Sequence, residues 1–89
     1  QSEESMKMAI SPNPFNQSAN ISFSLPEAAQ VKLYVYNLVG QKVATVVDRY
    51  MAAGEHTVSW NAGRLASGVY LARLEAGSFA ETKKMVLLK

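Results

Sequence analysis

His56 is the only histidine in the sequence, and Asp48 is the only aspartate. A hydrolytic site of the nucleophile–base type needs a base beside a nucleophile, with a third group that orients the base. A single histidine, no cysteine and scattered glutamates make a poor site of this kind. His56 also alternates with apolar residues along a predicted strand. We therefore predict a structural or surface role for His56, a turn role for Asp48 and no enzyme activity.

Ligands for a metal ion are equally sparse. The absence of cysteine removes disulfides, thiol nucleophiles and the usual structural zinc sites. Calcium needs several converging oxygen ligands, and no D-x-D-x-D pattern occurs. Asn13, Asn16 and Asn20 carry side-chain oxygens, but asparagine in proline-flanked turns more often forms local hydrogen bonds. The sequence predicts neither a metal nor a cofactor.

The aromatic residues suggest a sugar-stacking surface as an alternative function. Trp60 shares one face of a predicted strand with Val58, and a small sandwich needs a large core residue, which favours the core for Trp60. Tyr34 and Tyr36 alternate with apolar neighbours and are expected on an outer face, where they would form a small platform. Tyr70 opens a late strand in the manner of a tyrosine corner, whose hydroxyl bonds backbone upstream.

Alternating apolar and polar residues predict β-strands over most of the chain. Turn residues separate these strands every ~8–12 residues, which is typical of an all-β sandwich. Helical composition is confined to residues 26–30, too short a segment for a stable helix. The seven predicted strands are 6–10, 21–25, 31–36, 42–50, 56–60, 68–76 and 79–88. The predicted core comprises Phe23, Leu33, Val35, Val58, Trp60 and Tyr70.

Length and charge narrow the function classes further. A chain of 89 residues makes one domain, with room for a modest core but not for a deep catalytic cleft as well. The net charge is +2, and Lys83-Lys84 is the only adjacent basic pair, which argues against nucleic acid as a partner. No apolar run approaches the ~20 residues of a membrane-spanning helix. Residues 1–5 show no basic region followed by an apolar stretch, so we expect no signal peptide there. We expect residues 1–5 to be a linker remnant and residues 6–89 to form the domain.

Six segments resemble, in order and spacing, the type A C-terminal sorting domain of the type IX secretion system. They are 13–16 (NPFN), 21–26 (ISFSLP), 31–43 (VKLYVYNLVGQKV), 54–60 (GEHTVSW), 67–70 (SGVY) and 83–89 (KKMVLLK). The departures are mild: Gln17 stands where proline is common, and Arg64 lies in a loop that is often acidic or polar. The resemblance covers nearly the whole chain after Met8.

What the resemblance implies is an immunoglobulin-like antiparallel β-sandwich that addresses a larger cargo protein for secretion. The implied partners are the outer-membrane type IX translocon with its shuttle proteins, and a sortase-like protease that removes the domain. The cargo domain is expected upstream in the same chain. The cargo is expected in the periplasm in transit, and then at the cell surface or outside the cell. The alternative is a non-catalytic accessory module of a secreted protein, either a carbohydrate-binding domain or a spacer of the hook-cap type.

The terminal segment is the predicted docking site for the export machinery. Its strand carries apolar residues on both faces, so it is either central in a sheet or open to a partner surface. Two lysines that guide docking electrostatically precede the apolar residues that would form the contact. The predicted docking residues are Lys83, Lys84, Met85, Val86, Leu87, Leu88 and Lys89.

Overall fold

The computed structural model describes residues 8–88, which form seven β-strands and contain no helix that could cross a membrane. The predicted linker at residues 1–5, the start of the domain at residue 6 and Lys89 lie outside the described residues. The strands are β1 (Met8–Ser11), β2 (Ser18–Leu25), β3 (Ala29–Tyr36), β4 (Lys42–Met51), β5 (Gly54–Asn61), β6 (Gly68–Ala76) and β7 (Phe79–Leu87).

The strands form two antiparallel sheets, one of three strands and one of four. The three-stranded sheet has the order β1-β2-β5, and the four-stranded sheet has the order β4-β3-β6-β7. This arrangement confirms the predicted all-β sandwich of immunoglobulin-like type. The neighbours β2 and β5, and likewise β3 and β6, are not consecutive in the chain, so the connections cross between the sheets.

Alternation along β2, β3 and β6 points every second side chain into the space between the two sheets, and these inward side chains are mostly apolar. On β2, Ile21, Phe23 and Leu25 are buried while the serines between them are half-buried. The inner face of β3 is buried in the same way. At roughly 25 cal/mol per Å² of apolar surface removed from water, such burial is the main source of stability for a chain without disulfides. The buried cluster is Met8, Phe15, Ala19, Ile21, Phe23, Leu25, Val31, Leu33, Val35, Val47, Met51, Trp60, Ala62, Tyr70, Ala72, Leu74, Ala76, Met85 and Leu87.

Glycines with positive φ lie in two of the turns between strands. Gly77 has φ 59° and begins the two-residue connection between β6 and β7, where Ala76 pairs with Phe79. Gly40 has φ 88° and ends the β3–β4 turn. A residue with a Cβ atom is strained at such positive φ values, so glycine is suited to both positions.

Some strands begin or end at residues other than the predicted ones, because pairing with a neighbouring strand extends beyond the alternating apolar residues. β2 begins at Ser18 rather than at residue 21, because Ser18 and Asn20 continue the ladder against Asn61 and Ser59 of β5. β1 runs to Ser11, which pairs with Asn20. β7 ends at Leu87, one residue before the predicted end.

Candidate docking surface of the terminal strand

β7 is the outermost strand of the four-stranded sheet, and its side chains alternate between the core and the outer face. Met85 and Leu87 point inward and are both 0% exposed. Both side chains are therefore covered in the folded domain, and a docking role for them stays a prediction. The second sheet and the β1–β2 connection cover the inner face of β7, so neither side chain is available to a partner of the folded domain.

The outer edge of β7 is covered by the β1–β2 connection. Phe15 forms a parallel bridge with Leu87: its N–H donates to the carbonyl of Val86 at 2.9 Å, and its carbonyl accepts from the N–H of Leu88 at 2.8 Å. The Asn13 side chain extends this pairing. Its Nδ2 donates to the carbonyl of Lys84 at 3.0 Å, and its Oδ1 accepts from the N–H of Val86 at 3.0 Å. We call residues 13–15 the edge clasp.

Phe15 anchors the edge clasp in the core. Its ring is 2% exposed and lies 5.9 Å from the ring of Trp60, centroid to centroid, at an interplanar angle of 55°. A tilted aromatic pair at this distance is favourable beyond the area that it buries. Backbone pairing and ring packing thus fix the same short segment, and the C-terminal half of β7 has the surroundings of a central strand.

The two adjacent lysines of β7 point to opposite sides of the sheet. Lys83 lies on the inner-facing side near the open end of the sandwich, where it lines a cleft of about 700 Å³ with Glu81 and His56. One carboxylate oxygen of Glu81, Oε1, is buried there and has no hydrogen-bond partner among the described residues. Lys84 lies on the outer face, opposite Leu71 of β6. The pair seen in the sequence is therefore not one cationic site in the fold.

Apolar residues follow Lys84 on the outer face towards the end of β7. Val86 is half-buried and pairs with Val69 of β6, whereas Leu88 is 54% exposed. Among the predicted docking residues within 8–88, the accessible ones are thus Lys83, Lys84, Val86 and Leu88.

The predicted core residues lie where the two sheets meet. Phe23, Leu33, Val35, Trp60 and Tyr70 are buried, and Val58 is half-buried and packs against them. The Tyr70 hydroxyl donates to the carbonyl of Ala66 at 2.6 Å, which is the contact expected of a tyrosine corner. This bond ties the β5–β6 connection to the start of β6.

The residues considered for catalysis are held in structural contacts. His56 packs against Phe23, with ring centroids 5.5 Å apart, and its Nε2 lies 2.8 Å from the carbonyl oxygen of Ala52. Because a carbonyl only accepts, Nε2 carries the proton in this contact. Asp48 accepts a hydrogen bond from the Gln30 side chain at 3.1 Å, on a strand rather than in a turn. Within residues 8–88, no group of three or more histidine, cysteine or acidic residues is arranged to hold a metal ion.

Sequence reasoning missed the contribution of Asn13 and Phe15. Asparagine between prolines suggests local hydrogen bonds, but both side-chain bonds of Asn13 reach β7, 71 and 73 residues away. A lone large apolar residue in a polar, proline-rich connection was the available signal for Phe15. Such a residue must be buried somewhere, and only the fold shows where.

Comparison with protein families decides what this sandwich is. The family model described as the secretion system C-terminal sorting domain matches residues 9–88, nearly the whole chain. The chain belongs to this family. It is therefore a sorting tail for type IX secretion, and tails of this family imply export of a cargo toward the cell surface or the extracellular space. A sorting-signal family has no catalytic role of its own. Neither a curated protein nor a solved structure matched the chain.

Proposed function

We propose that the folded domain, and not an extended C-terminal peptide, is what the outer-membrane type IX translocon recognises by protein–protein contact. The observation that carries this proposal is the edge clasp. Asn13 and Phe15 form hydrogen bonds with the edge-facing backbone groups of residues 84, 86 and 88. A partner therefore cannot add a strand to this edge of β7 while the clasp is closed.

Side chains of β7 that remain accessible supply the docking contacts. Lys84, Val86 and Leu88 share the outer face, where a cation next to apolar surface favours association through steering and burial together. Lys83 acts from the cleft side. Met85 and Leu87 contribute by holding the strand in place, and Lys89 stays a predicted contact.

For the wider route we propose the steps that the family resemblance implies. A cargo domain upstream in the same chain passes through the periplasm, shuttle proteins and the translocon bind the sorting domain, and a sortase-like protease removes it. No step of this route needs chemistry from the domain itself.

Export of a reporter tests the proposal. A periplasmic fluorescent protein fused ahead of residues 1–89 is expressed in a host with a type IX system, and fluorescence is compared between medium and cells. We expect export of the parent fusion, and reduced export for Lys83→Gln/Lys84→Gln. The matched control is Arg49→Gln/Arg64→Gln, which removes two exposed charges elsewhere and should be exported like the parent.

Folding must be separated from docking in this test. Each variant is first checked by circular dichroism, because exposed charge removals should change the free energy of unfolding by no more than ~0.5 kcal/mol. A parent fusion that stays inside the cell would overturn the sorting function. A folded Lys83→Gln/Lys84→Gln variant that is exported at the parent rate would overturn the part assigned to the two lysines. The single variants then show which side of β7 matters.

A further inference from the structure

We infer that the main contact surface of the domain is the outer face of the four-stranded sheet beyond β7, centred on Tyr34, Tyr36, Lys42, Leu71 and Arg73. The partner it fits is a protein surface that presents carboxylates around an apolar side chain. We call these five residues, Lys32 and the adjoining Leu38-Val39 turn the aromatic–basic face. The inference rests on the proposed sorting function and deepens it.

The two outer faces of the sandwich differ sharply in composition. On the three-stranded sheet, the outward side chains of β2 and β5 are small and polar apart from Glu55, with no aromatic ring or cation among the described residues. On the four-stranded sheet, the outward residues include three tyrosines, an arginine and three lysines. Tyrosine and arginine are enriched in protein interfaces, and serine is depleted. The small polar residues of the first face are Ser18, Asn20, Ser22, Ser24, Thr57, Ser59 and Asn61.

The aromatic part of the face is ordered before any partner arrives. The rings of Tyr34 and Tyr36 meet edge to face with centroids 6.3 Å apart, and the Lys42 ammonium lies 4.2 Å above the centre of the Tyr34 ring. Irregular pairing between β3 and β4 at both tyrosines brings Lys42 alongside this pair. A preorganised surface loses less conformational entropy when it binds.

The β3–β4 turn holds apolar side chains out in solvent beside these rings. Leu38 is 68% exposed and Val39 is 78% exposed. The Asn37 side-chain oxygen Oδ1 nevertheless fixes the turn, because it accepts hydrogen bonds from the N–H groups of Val39 and Gln41 at 3.1 and 3.0 Å. A depression of about 330 Å³ lies behind the turn, lined by Tyr36, Leu38, Leu71 and Arg73 among others. It is wide enough for one apolar side chain.

Charge indicates the chemistry of the partner around that side chain. The outward residues of the four-stranded sheet carry four cations and two carboxylates, an excess of two positive charges. Arg73 donates from Nε to Glu75 at 2.7 Å, and among the described residues its other guanidinium nitrogens have no partner. An acidic rim on the partner would pair with these cations and speed association. The cations are Lys32, Lys42, Arg73 and Lys84, and the carboxylates are Asp48 and Glu75.

Two variants remove the parts of the face without touching β7. Lys32→Gln/Lys42→Gln removes two cations, and Leu38→Ser/Val39→Ser removes the exposed apolar turn. The charge control is Asn20→Asp/Asn61→Asp, which changes the net charge equally on the opposite sheet. The apolar control is Ala52→Ser/Ala53→Ser, an adjacent exposed pair in the β4–β5 turn.

The readout is again export of the fused reporter, with melting temperatures taken on the purified domains. We expect both face variants to melt within about 4 °C of the parent, since exposed substitutions cost little. Export of the charge variant should fall about tenfold or more, the scale on which steering charges act on association. Export of the turn variant should fall as well, because Leu38 and Val39 no longer offer apolar surface for the partner to bury. Both controls should be exported like the parent.

Each other outcome overturns a distinct statement. Face variants that are exported at the parent rate, while Lys83→Gln/Lys84→Gln is not, overturn the aromatic–basic face and leave the sorting function standing. A parent fusion that is not exported overturns the sorting function itself. Sedimentation of the parent domain as a dimer that Leu38→Ser/Val39→Ser converts to monomer would assign the face to a second copy of the chain.

Discussion

The Oδ1 atom of Asn13 accepts a hydrogen bond from the backbone N–H of Val86 at 3.0 Å, across 73 positions of sequence. The same side chain donates to the carbonyl of Lys84. One asparagine therefore satisfies two backbone groups that an edge strand would otherwise leave open, and an open edge invites pairing with other chains. The relationship makes a residue of the β1–β2 connection part of the terminal strand's structure.

Asn13→Ala should destabilise the domain by about 1–3 kcal/mol, because it removes two hydrogen bonds to the backbone of β7, each worth roughly 0.5–1.5 kcal/mol. The matched control is Asn16→Ala, at an exposed position in the same connection, which should cost no more than ~0.5 kcal/mol. Urea unfolding measures both. Equal midpoints for the two variants would contradict the importance of the clasp.

Trp60→Ala should cost about 3–5 kcal/mol, a large share of the roughly 5–15 kcal/mol expected for a small domain. The ring is only 9% exposed and fills space between the sheets, so its loss leaves a cavity. Thermal unfolding measures the change. A shift of only a degree or two in the melting temperature would place Trp60 at the surface and revive the sugar-stacking function.

The contact between Phe15 and Trp60 should appear as a coupling free energy. We expect the double variant Phe15→Ala/Trp60→Ala to be less destabilised than the sum of the single variants by about 0.5–1.5 kcal/mol, the range for aromatic pairs. Denaturant unfolding of the four proteins gives the coupling. Strict additivity would show that the rings are buried independently.

Leu87→Ala and Leu88→Ala should differ although the residues are adjacent. Leu87 is 0% exposed, so its truncation should cost about 2–5 kcal/mol. Leu88 is 54% exposed, and its truncation should change stability by no more than ~0.5 kcal/mol. Chemical denaturation of the two variants decides the point, and similar losses would mean that the end of β7 is not oriented as described.

Tyr70→Phe should cost about 0.5–1.5 kcal/mol, because it deletes the hydroxyl that donates to Ala66 and leaves the ring in place. Tyr50→Phe is the control, since Tyr50 is 68% exposed and should tolerate the change. Melting curves of both proteins test the expectation. An unchanged melting temperature for Tyr70→Phe would mean that the hydrogen bond to Ala66 does not stabilise the β5–β6 connection.

The sequence predicted the fold through features that act locally. β6 spans Gly68–Ala76 as expected, because its alternating residues and its flanking glycines define both ends. Local pattern also placed Trp60, Leu33 and Val35 in the interior, since period-two alternation shows which residues share a face.

The burial of the two faces of β7 could not be predicted from local pattern. Apolar residues on both faces of β7 are compatible with burial or with docking, and the choice depends on what covers each face. For Met85 and Leu87 the cover includes a segment more than 65 residues earlier, whose hydrogen bonds leave no trace in hydropathy. The opposite directions of Lys83 and Lys84 follow from alternation, but only once their strand is known to be paired with β6.

The edge clasp also ties the domain's integrity to its final residues. During synthesis, Phe15 and Asn13 leave the ribosome about 70 residues before the backbone groups that they bind. Until those groups arrive, the Phe15 ring has no bridge to Leu87 and the outer edge of β6 stays bare. A chain that is truncated or cleaved within β7 therefore leaves the edge of β6 open to proteases. The complete sandwich can form only after β7 has been synthesised.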